Sequence, residues 1–319
     1  MDLSVVIPVL DEVEVLSALC ARLAPALDAL GVSWEVVFVD DGSTDGTFAR
    51  LSELHANDAR FRVVALSRNF GQQVALQAGL ARSRGRAVVL MDADLQDPPE
   101  RIGDLVAKWR EGFDVVYAVR RSRDGDSLFK RASAALFYRV VRALAPVDLP
   151  VDAGDFRLLS RPVVDAILAM PERHRYLRGL VAWTGFRQAR VVYDRAPRAA
   201  GVTKYPLRRM SRLASDAIVS FSTVPLRAAT VLGFSLSAAC FAYAGWAVWV
   251  TLVYGRNVPG WASLLVVILL VGGAQLVCLG IIGEYIGRIY DEVRHRPLYL
   301  VRAELLGDAP RVRVVGDDT

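Results

Sequence analysis

Cysteine and histidine are scarce, three of each in 319 residues. Cys20, Cys240 and Cys278 lie far apart, no Cys-x-x-Cys pair occurs and the histidines do not cluster, which argues against a zinc site. The start, Met1-Asp2-Leu3-Ser4, lacks a basic n-region and a cleavage signal, so the first domain is expected to stay cytosolic and reduced. No aromatic-studded basic patch and no nucleic-acid motif accompanies the net charge of +5. That charge therefore points to nucleotide or phospholipid head groups and away from nucleic acid. Internal repeats and low-complexity tracts are also absent. The most telling absence is charge itself, which is missing from residues 228–255 and again from 257–283.

Hydrophobic residues make up 53% of the chain, and the mean hydropathy is positive. The excess lies after residue 227. Each charge-free segment exceeds the roughly 20 residues needed to cross about 30 Å of hydrocarbon. The short turn between them, Arg256-Asn257-Val258-Pro259-Gly260, is flanked by Trp249, Tyr254 and Trp261, residues suited to a membrane interface. Basic residues gather before the first segment (Arg195, Arg198, Lys204, Arg208, Arg209, Arg212, Arg227) and after the second (Arg288, Arg294, Arg296, Arg302), while the turn has only Arg256. By the positive-inside rule both ends are cytoplasmic and the turn faces outward. Between Pro206 and Phe221, Leu207, Met210, Leu213, Ala217 and Phe221 share a helical face, with arginines elsewhere. That pattern suits a helix lying on an anionic bilayer surface, or one packed on the globular domain.

Residues 1 to about 120 alternate short apolar runs with helical patterns. Strands are expected at Leu3–Pro8, Trp34–Val39, Arg62–Leu66 and Arg86–Met91, with Asp114–Val119 closing the series. Helices are expected at Glu12–Leu30, Thr44–His55 and Gln72–Ala81. Such alternation predicts an α/β fold with a mainly parallel sheet covered on both faces. Residues 120–205 are less regular; Ser127–Leu144 looks helical and Gln188–Tyr193 reads as a late strand.

Acidic residues sit where strands end. Asp92-Ala93-Asp94 follows one apolar run and Asp40-Asp41 another. Clustered carboxylates at the carboxyl ends of buried strands are costly unless a cation is bound there, and a hard divalent ion carrying a diphosphate meets that need. The Asp-x-Asp spacing lets one carboxylate hold the metal while the other reaches metal, water or ribose. Pro98 and Pro99 after it suit a helix start. Asp41, by spacing, either caps the next helix or hydrogen-bonds a nucleotide. Arg120, Lys130 and Arg131 follow downstream, each a phosphate ligand or a solvated charge. Asp155, in Ala153-Gly154-Asp155-Phe156-Arg157, reads as a turn residue by its own surroundings.

Together these residues resemble the GT-A, family-2 glycosyltransferases that load a sugar onto a polyprenyl phosphate. The matching motifs are Val5-Val6-Ile7-Pro8, Val39-Asp40-Asp41-Gly42-Ser43, Ser67-Arg68-Asn69-Phe70-Gly71-Gln72, Met91-Asp92-Ala93-Asp94-Leu95-Gln96-Asp97-Pro98-Pro99, Gly154-Asp155-Phe156-Arg157, Thr203-Lys204-Tyr205-Pro206 and Gly280-Ile281-Ile282-Gly283-Glu284-Tyr285-Ile286-Gly287-Arg288. The resemblance implies that Pro8, Glu12, Val39 and Asp41 hold the base and ribose. It implies that Asp92, Ala93, Asp94 and Gln96 bind the donor diphosphate, with Asp92, Asp94 and Gln96 on Mg²⁺ or Mn²⁺. Arg120, Arg131, Arg198 and Lys204 would surround the phosphates of donor and lipid. Asp94 and Asp155 would be catalytic, Asp155 as the candidate base. Two departures stand out: Leu10-Asp11 occupies the family's Tyr-Asn, and Gly201-Val202-Thr203-Lys204-Tyr205 replaces Gly-Glu-Ser-Lys-Tyr, with Lys204 retained.

The expected organisation is a GT-A catalytic domain (1–205), a juxtamembrane amphipathic helix (206–226), two transmembrane helices within 227–287 (about 228–254 and 261–283) and a cytoplasmic tail (288–319). The expected activity is inverting, metal-dependent hexose transfer from a nucleotide diphosphate sugar to polyprenyl phosphate at the cytoplasmic membrane. UDP-glucose is favoured as donor and GDP-mannose is the alternative; homo-oligomerisation is left open. A processive polysaccharide synthase would show a Gln-x-x-Arg-Trp motif and more spans, and neither is present. An inactive nucleotide-binding scaffold is disfavoured by the intact Asp-x-Asp and Lys204.

Overall fold

Four runs rich in Val and Ile form strands β1 (Leu3–Val9), β2 (Trp34–Asp40), β3 (Phe61–Leu66) and β4 (Ala87–Leu90), buried at nearly every residue. Continuous burial, without alternation, is what parallel strands covered on both faces require. The computed structural model describes residues 1–120, 153–172, 177–193, 223–254 and 260–307. The expected helix at 127–144 and the amphipathic segment at 206–221 lie outside the described residues.

The first four strands are linked by α1 (Val13–Asp28), α2 (Thr47–Asn57) and α3 (Gln72–Arg82). After β4, a 3-10 turn at Pro99–Arg101 leads into α4 (Ile102–Arg110). Then follow β5 (Val115–Arg120), β6 (Ala153–Ser160), α5 (Arg161–Ala169), α6 (Leu177–Trp183) and β7 (Gln188–Tyr193). Two long helices come next, α7 (Val224–Tyr254) and α8 (Trp261–Val293), and then a last strand, β8 (Val301–Leu305). The sheet order is β7-β5-β6-β4-β1-β2-β3-β8. The β1–β2, β1–β4, β2–β3 and β5–β7 pairs are parallel; β3–β8, β4–β6 and β5–β6 are antiparallel. One apolar layer gathers Leu16, Leu23, Leu51 and Leu105 from α1, α2 and α4. The other gathers Leu76, Leu80, Val164 and Val181 from α3, α5 and α6.

β6 inserts antiparallel between β4 and β5, and the late strand expected at Gln188–Tyr193 pairs with β5. Two expectations change. Asp155 therefore lies on a strand and not in a turn. Residues 288–307, within the expected tail 288–319, contribute the end of α8 and the edge strand β8. Glu304 of β8, buried, accepts a hydrogen bond from Arg82 Nε at 2.7 Å and so fastens that edge.

The chain divides into two compact units, one holding the whole sheet and the other the helical hairpin. In the hairpin, Val224–Val253 and Val266–Val293 are each long and apolar enough to cross a membrane. Phe234, Phe241, Leu252 and Leu276 are more than 70% exposed there, which hydrocarbon would cover and water would not tolerate in such numbers. Cys278 packs with its sulfur 3.7 Å from the carbonyl of Ala229 on the facing helix.

Candidate active site

The chain runs from β1 outward to β2 and β3, then returns to the other side of β1 as β4. A crevice opens at the carboxyl ends of strands where the order reverses in this way. Proline finishes the ladder there. The Met91 N–H donates to the Val6 carbonyl at 3.1 Å, so Val6 faces β4. Pro8, two residues on, faces the same way and has no N–H to offer, and the β1–β4 register ends at Val6↔Leu90. On its other side Pro8 is the register partner of Val39. The two residues expected to flank a base are thus neighbours at the crevice mouth.

Three loops close this edge. Asp11 adopts φ 54° and accepts a hydrogen bond from the Thr44 N–H at 2.8 Å. Left-handed backbone of this kind favours Asn or Asp, so Asp11 keeps the turn chemistry of the asparagine it replaces. The Glu12 N–H donates to Thr47 Oγ1 at 3.0 Å, putting Glu12 at the start of α1. Asp41, buried, accepts from the N–H groups of Phe70 and Gly71 at 2.7 and 2.8 Å. Burial pushes its carboxyl above the ordinary range, and the two N–H groups oppose that rise. The carboxylate does not cap α2; it ties the β2–α2 loop to the β3–α3 loop. Gly42 makes the approach feasible. Its φ is 79°, and a Cβ there would sit 2.5 Å from the backbone carbon of Arg68.

The Asp-x-Asp loop follows β4. Asp92 Oδ1 accepts from Gln72 Nε2 at 2.7 Å, at the first turn of α3. Asp94 accepts from the Gln96 N–H at 3.1 Å across Leu95, whose φ is 57°. A leucine in that region is strained, and such strain collects at ligand sites. Ala93 and Gln96 are buried beside them. Asp97, also buried, accepts from the hydroxyl of Tyr193 on β7. The antiparallel strand β6 brings in the remaining acid. Continuing the register two residues beyond Leu90↔Arg157 sets Asp92 opposite Asp155. Arg178 of α6 donates to Asp155 at 2.9 Å, and the Arg157 guanidinium lies 3.6 Å from the same oxygen.

This crowding is visible in Asp92. Its carboxyl is pushed up to about 7, first by burial, then by the charges of Asp155, Asp97 and Asp94. Oxygen donors held so close in poor solvent suit a hard divalent cation. Among the described residues no three His, Cys, Asp or Glu side chains form a ready-made cage. A cation held by Asp92 and Asp94 would therefore draw further oxygen ligands from its substrate or from water.

The comparisons with known proteins fit this geometry. Residues 4–168 match the model for glycosyl transferase family 2, and residues 224–289 match the GtrB C-terminal hairpin. An uncharacterized glycosyltransferase of Synechocystis sp. is 48% identical over 301 residues, covering 94% of this chain and 95% of that one. The bactoprenol glucosyl transferase of Shigella phage SfV is 40% identical over 304 residues, covering 95% and 99%. The chain belongs to glycosyl transferase family 2. It is a glycosyltransferase with the α/β GT-A fold and a C-terminal helical hairpin that supplies two candidate membrane spans. Among solved structures, glucosyl-3-phosphoglycerate synthase from Mycobacterium tuberculosis is similar with a TM-score of 0.46 and 26% identity, over 68% of this chain and 78% of that one.

Within this family-2 fold, the sheet gathers Pro8, Glu12, Val39, Asp41, Asp92, Ala93, Asp94, Gln96 and Asp155 at one edge. The backbone of Arg120 ends β5 and pairs with Tyr193; its side chain is outside the described residues, as are Arg131, Arg198 and Lys204. Gln72, Asp97, Arg157, Arg178 and Tyr193 join the site without having been expected there. Gln72, Asp97 and Arg157 carried a signal, since all three lie within motifs; Arg178 and Tyr193 reach the site through pairings that local sequence does not display.

Proposed function

We propose that this glycosyltransferase moves a hexose, with inversion, from a nucleoside diphosphate sugar to a polyprenyl phosphate at the cytoplasmic membrane face. UDP-glucose is the favoured donor. The observation that carries the reading is whole-length similarity to bactoprenol glucosyl transferases in a chain where burial, then the neighbouring carboxylates, raise Asp92 to about 7. The relatives support the lipid acceptor, and the cluster supports a cation-bound diphosphate donor.

In this reading the crevice between β1 and β4 receives the nucleotide, with Pro8, Val39 and the fastened Asp11–Glu12 and Asp41–Ser43 loops shaping its base and ribose end. Asp92 and Asp94 face the diphosphate. Mg²⁺ or Mn²⁺, when bound there, neutralises the departing diphosphate as a Lewis acid. An oxygen of the acceptor phosphate attacks the anomeric carbon opposite the leaving oxygen. A phosphate dianion needs no proton removed, so positioning and preorganised charge carry most of the rate. Asp155, held by Arg178 and Arg157, orients that end of the site. Arg120, Arg131, Arg198 and Lys204 are assigned to the phosphates on resemblance. The hairpin anchors the enzyme where its lipid acceptor resides.

The test is a donor panel. Detergent-solubilised protein, undecaprenyl phosphate and labelled UDP-glucose, UDP-N-acetylglucosamine or GDP-mannose are incubated with Mg²⁺ or Mn²⁺, then with EDTA. Labelled lipid from UDP-glucose, lost in EDTA, is expected. Transfer from GDP-mannose alone would reassign the sugar, and no labelled lipid from any donor would remove the acceptor.

A further inference from the structure

Asp40 is completely buried, yet its carboxylate has little support from the strands around it. Oδ1 accepts from the Ser43 N–H at 2.9 Å. Oδ2 has no hydrogen-bond partner. A buried carboxylate in that position needs a counter-charge. The cation that faces it comes from the far end of the chain: an Arg302 guanidinium nitrogen lies 3.6 Å from Oδ2, too long for a hydrogen bond but close enough for an ion pair. The guanidinium is steadied over the Phe48 ring, 5.0 Å from its centroid.

Arg302 does not hold its own strand in place. β8 is fixed by its ladder to β3, by the Ser67 N–H to the Leu300 carbonyl at 2.9 Å, by His55 against the Gly307 carbonyl at 3.2 Å and by Arg82 on Glu304. The guanidinium is therefore delivered by a strand anchored independently, and among the described residues its ionic contact is Asp40. From Asp40 a chain of bonds leads into the crevice. Asp40 holds the Ser43 N–H, and Ser43 Oγ accepts from the Asp11 N–H at 3.0 Å, one residue before Glu12.

We propose that Arg302, on the strand that follows the hairpin, is a positioning residue for the donor nucleotide, acting through Asp40 on the Asp40–Ser43 and Asp11–Glu12 loops. The nucleotide pocket is thus completed by chain lying C-terminal to the hairpin, and a catalytic domain ended near residue 205 lacks part of its own donor site. The inference rests on the donor reading above.

Full-length protein in detergent is titrated calorimetrically with UDP and with GDP, each with Mn²⁺. Arg302→Ala is expected to raise the Kd for the nucleotide that wild type binds about tenfold, with Arg302→Lys recovering most of the loss. Adding Asp40→Asn to Arg302→Ala should also recover affinity, because a neutral amide needs no counter-charge. In transfer assays the donor KM should rise and kcat stay within about threefold. An unchanged Kd in Arg302→Ala overturns the inference, as does a raised Kd that Asp40→Asn fails to relieve. If Arg302→Ala does not fold, Asp40→Asn is compared with Asp40→Asn/Arg302→Ala: equal affinities support the inference and a further loss overturns it. Wild-type binding of neither nucleotide overturns the donor reading and this inference together; wild-type binding with an indifferent Arg302→Ala overturns this inference alone.

Discussion

Arg178 Nε donates to Asp155 Oδ1 at 2.9 Å, so the candidate base is already engaged by a guanidinium. Its charge acts on Asp92 across the β4–β6 pair, and we propose that it serves by orientation and field. Asp155→Asn is expected to lower kcat by about 10- to 100-fold while leaving the acid limb of the pH–rate profile where it was. Loss of that limb in the variant would restore the base assignment.

Asp92 carries a second prediction, because its carboxyl sits at about 7 against an ordinary 3.8. A raised carboxyl means that the ionised form opposes folding. In metal-free protein that penalty is absent below pH 3.8, grows as pH rises toward 7 and is complete above it. Asp92→Asn should therefore raise the metal-free Tm at pH 8 and leave it nearly unchanged at pH 4. Cation binding must displace the proton, so Mn²⁺ affinity should fall about tenfold per pH unit below 7 and level off above it. Equal Mn²⁺ Kd values at pH 6 and pH 8, measured by calorimetry, would rule this out.

The other half of the Asp-x-Asp pair separates binding from folding. Asp94 accepts the Gln96 N–H across a strained Leu95, so an amide can keep the turn while losing the charge. Asp94→Asn should fold with an unchanged circular dichroism spectrum and transfer sugar roughly 100-fold more slowly, the scale of losing one preorganised electrostatic group. Near-normal transfer would remove Asp94 from the diphosphate end of the site.

What the sequence displays and what it hides follow from the range of each signal. Val36-Val37-Phe38-Val39 and Val88-Val89-Leu90 announce buried parallel strands because both of their faces are apolar. The charge-free stretches after Arg227 announce the hairpin for the same reason. Asp92 and Asp94 stand out because two acids beside an apolar run are costly in any fold. By contrast, Ala153–Ser160 looks like a turn with an acid in it, since a Gly and an Asp open the strand and its partners lie more than 30 residues upstream. Val301–Leu305 carries Arg302 and Glu304, which suggest a solvated tail until β3, Arg82 and Asp40 are brought alongside. Tyr193 and Arg178 look like ordinary surface polars for the same reason.

The fastening of two crevice loops by Asp41 can be tested apart from catalysis. Removing the carboxylate strands the N–H groups of Phe70 and Gly71, roughly 2–4 kcal/mol for two charge-assisted bonds. For a domain of this size Asp41→Ala should lower Tm by about 5–10 °C. Gly42→Ala should be similarly damaging, because its Cβ meets the Arg68 backbone and its φ is positive. A Tm within about 1 °C of wild type for both variants would show that the loops are held by other means.

A prediction for the hairpin's orientation starts from a pairing in the sheet. β8 comes after α8 and pairs with β3, which comes before α7. Chain on either side of the hairpin therefore belongs to one folded sheet, and two helices that cross a membrane must leave and re-enter on the same side. The clustering of Lys and Arg on the flanks, with Arg256 alone in the turn, predicts the cytoplasm as that side. In a background with Cys20, Cys240 and Cys278 replaced by serine, Asn257→Cys should react with a membrane-impermeant maleimide in intact cells. Gly307→Cys should react only after lysis. Protection of Asn257→Cys with labelling of Gly307→Cys would invert the enzyme and put its donor site on the outer face. Labelling of both in intact cells would deny the crossing and leave the hairpin lying on one surface of the bilayer.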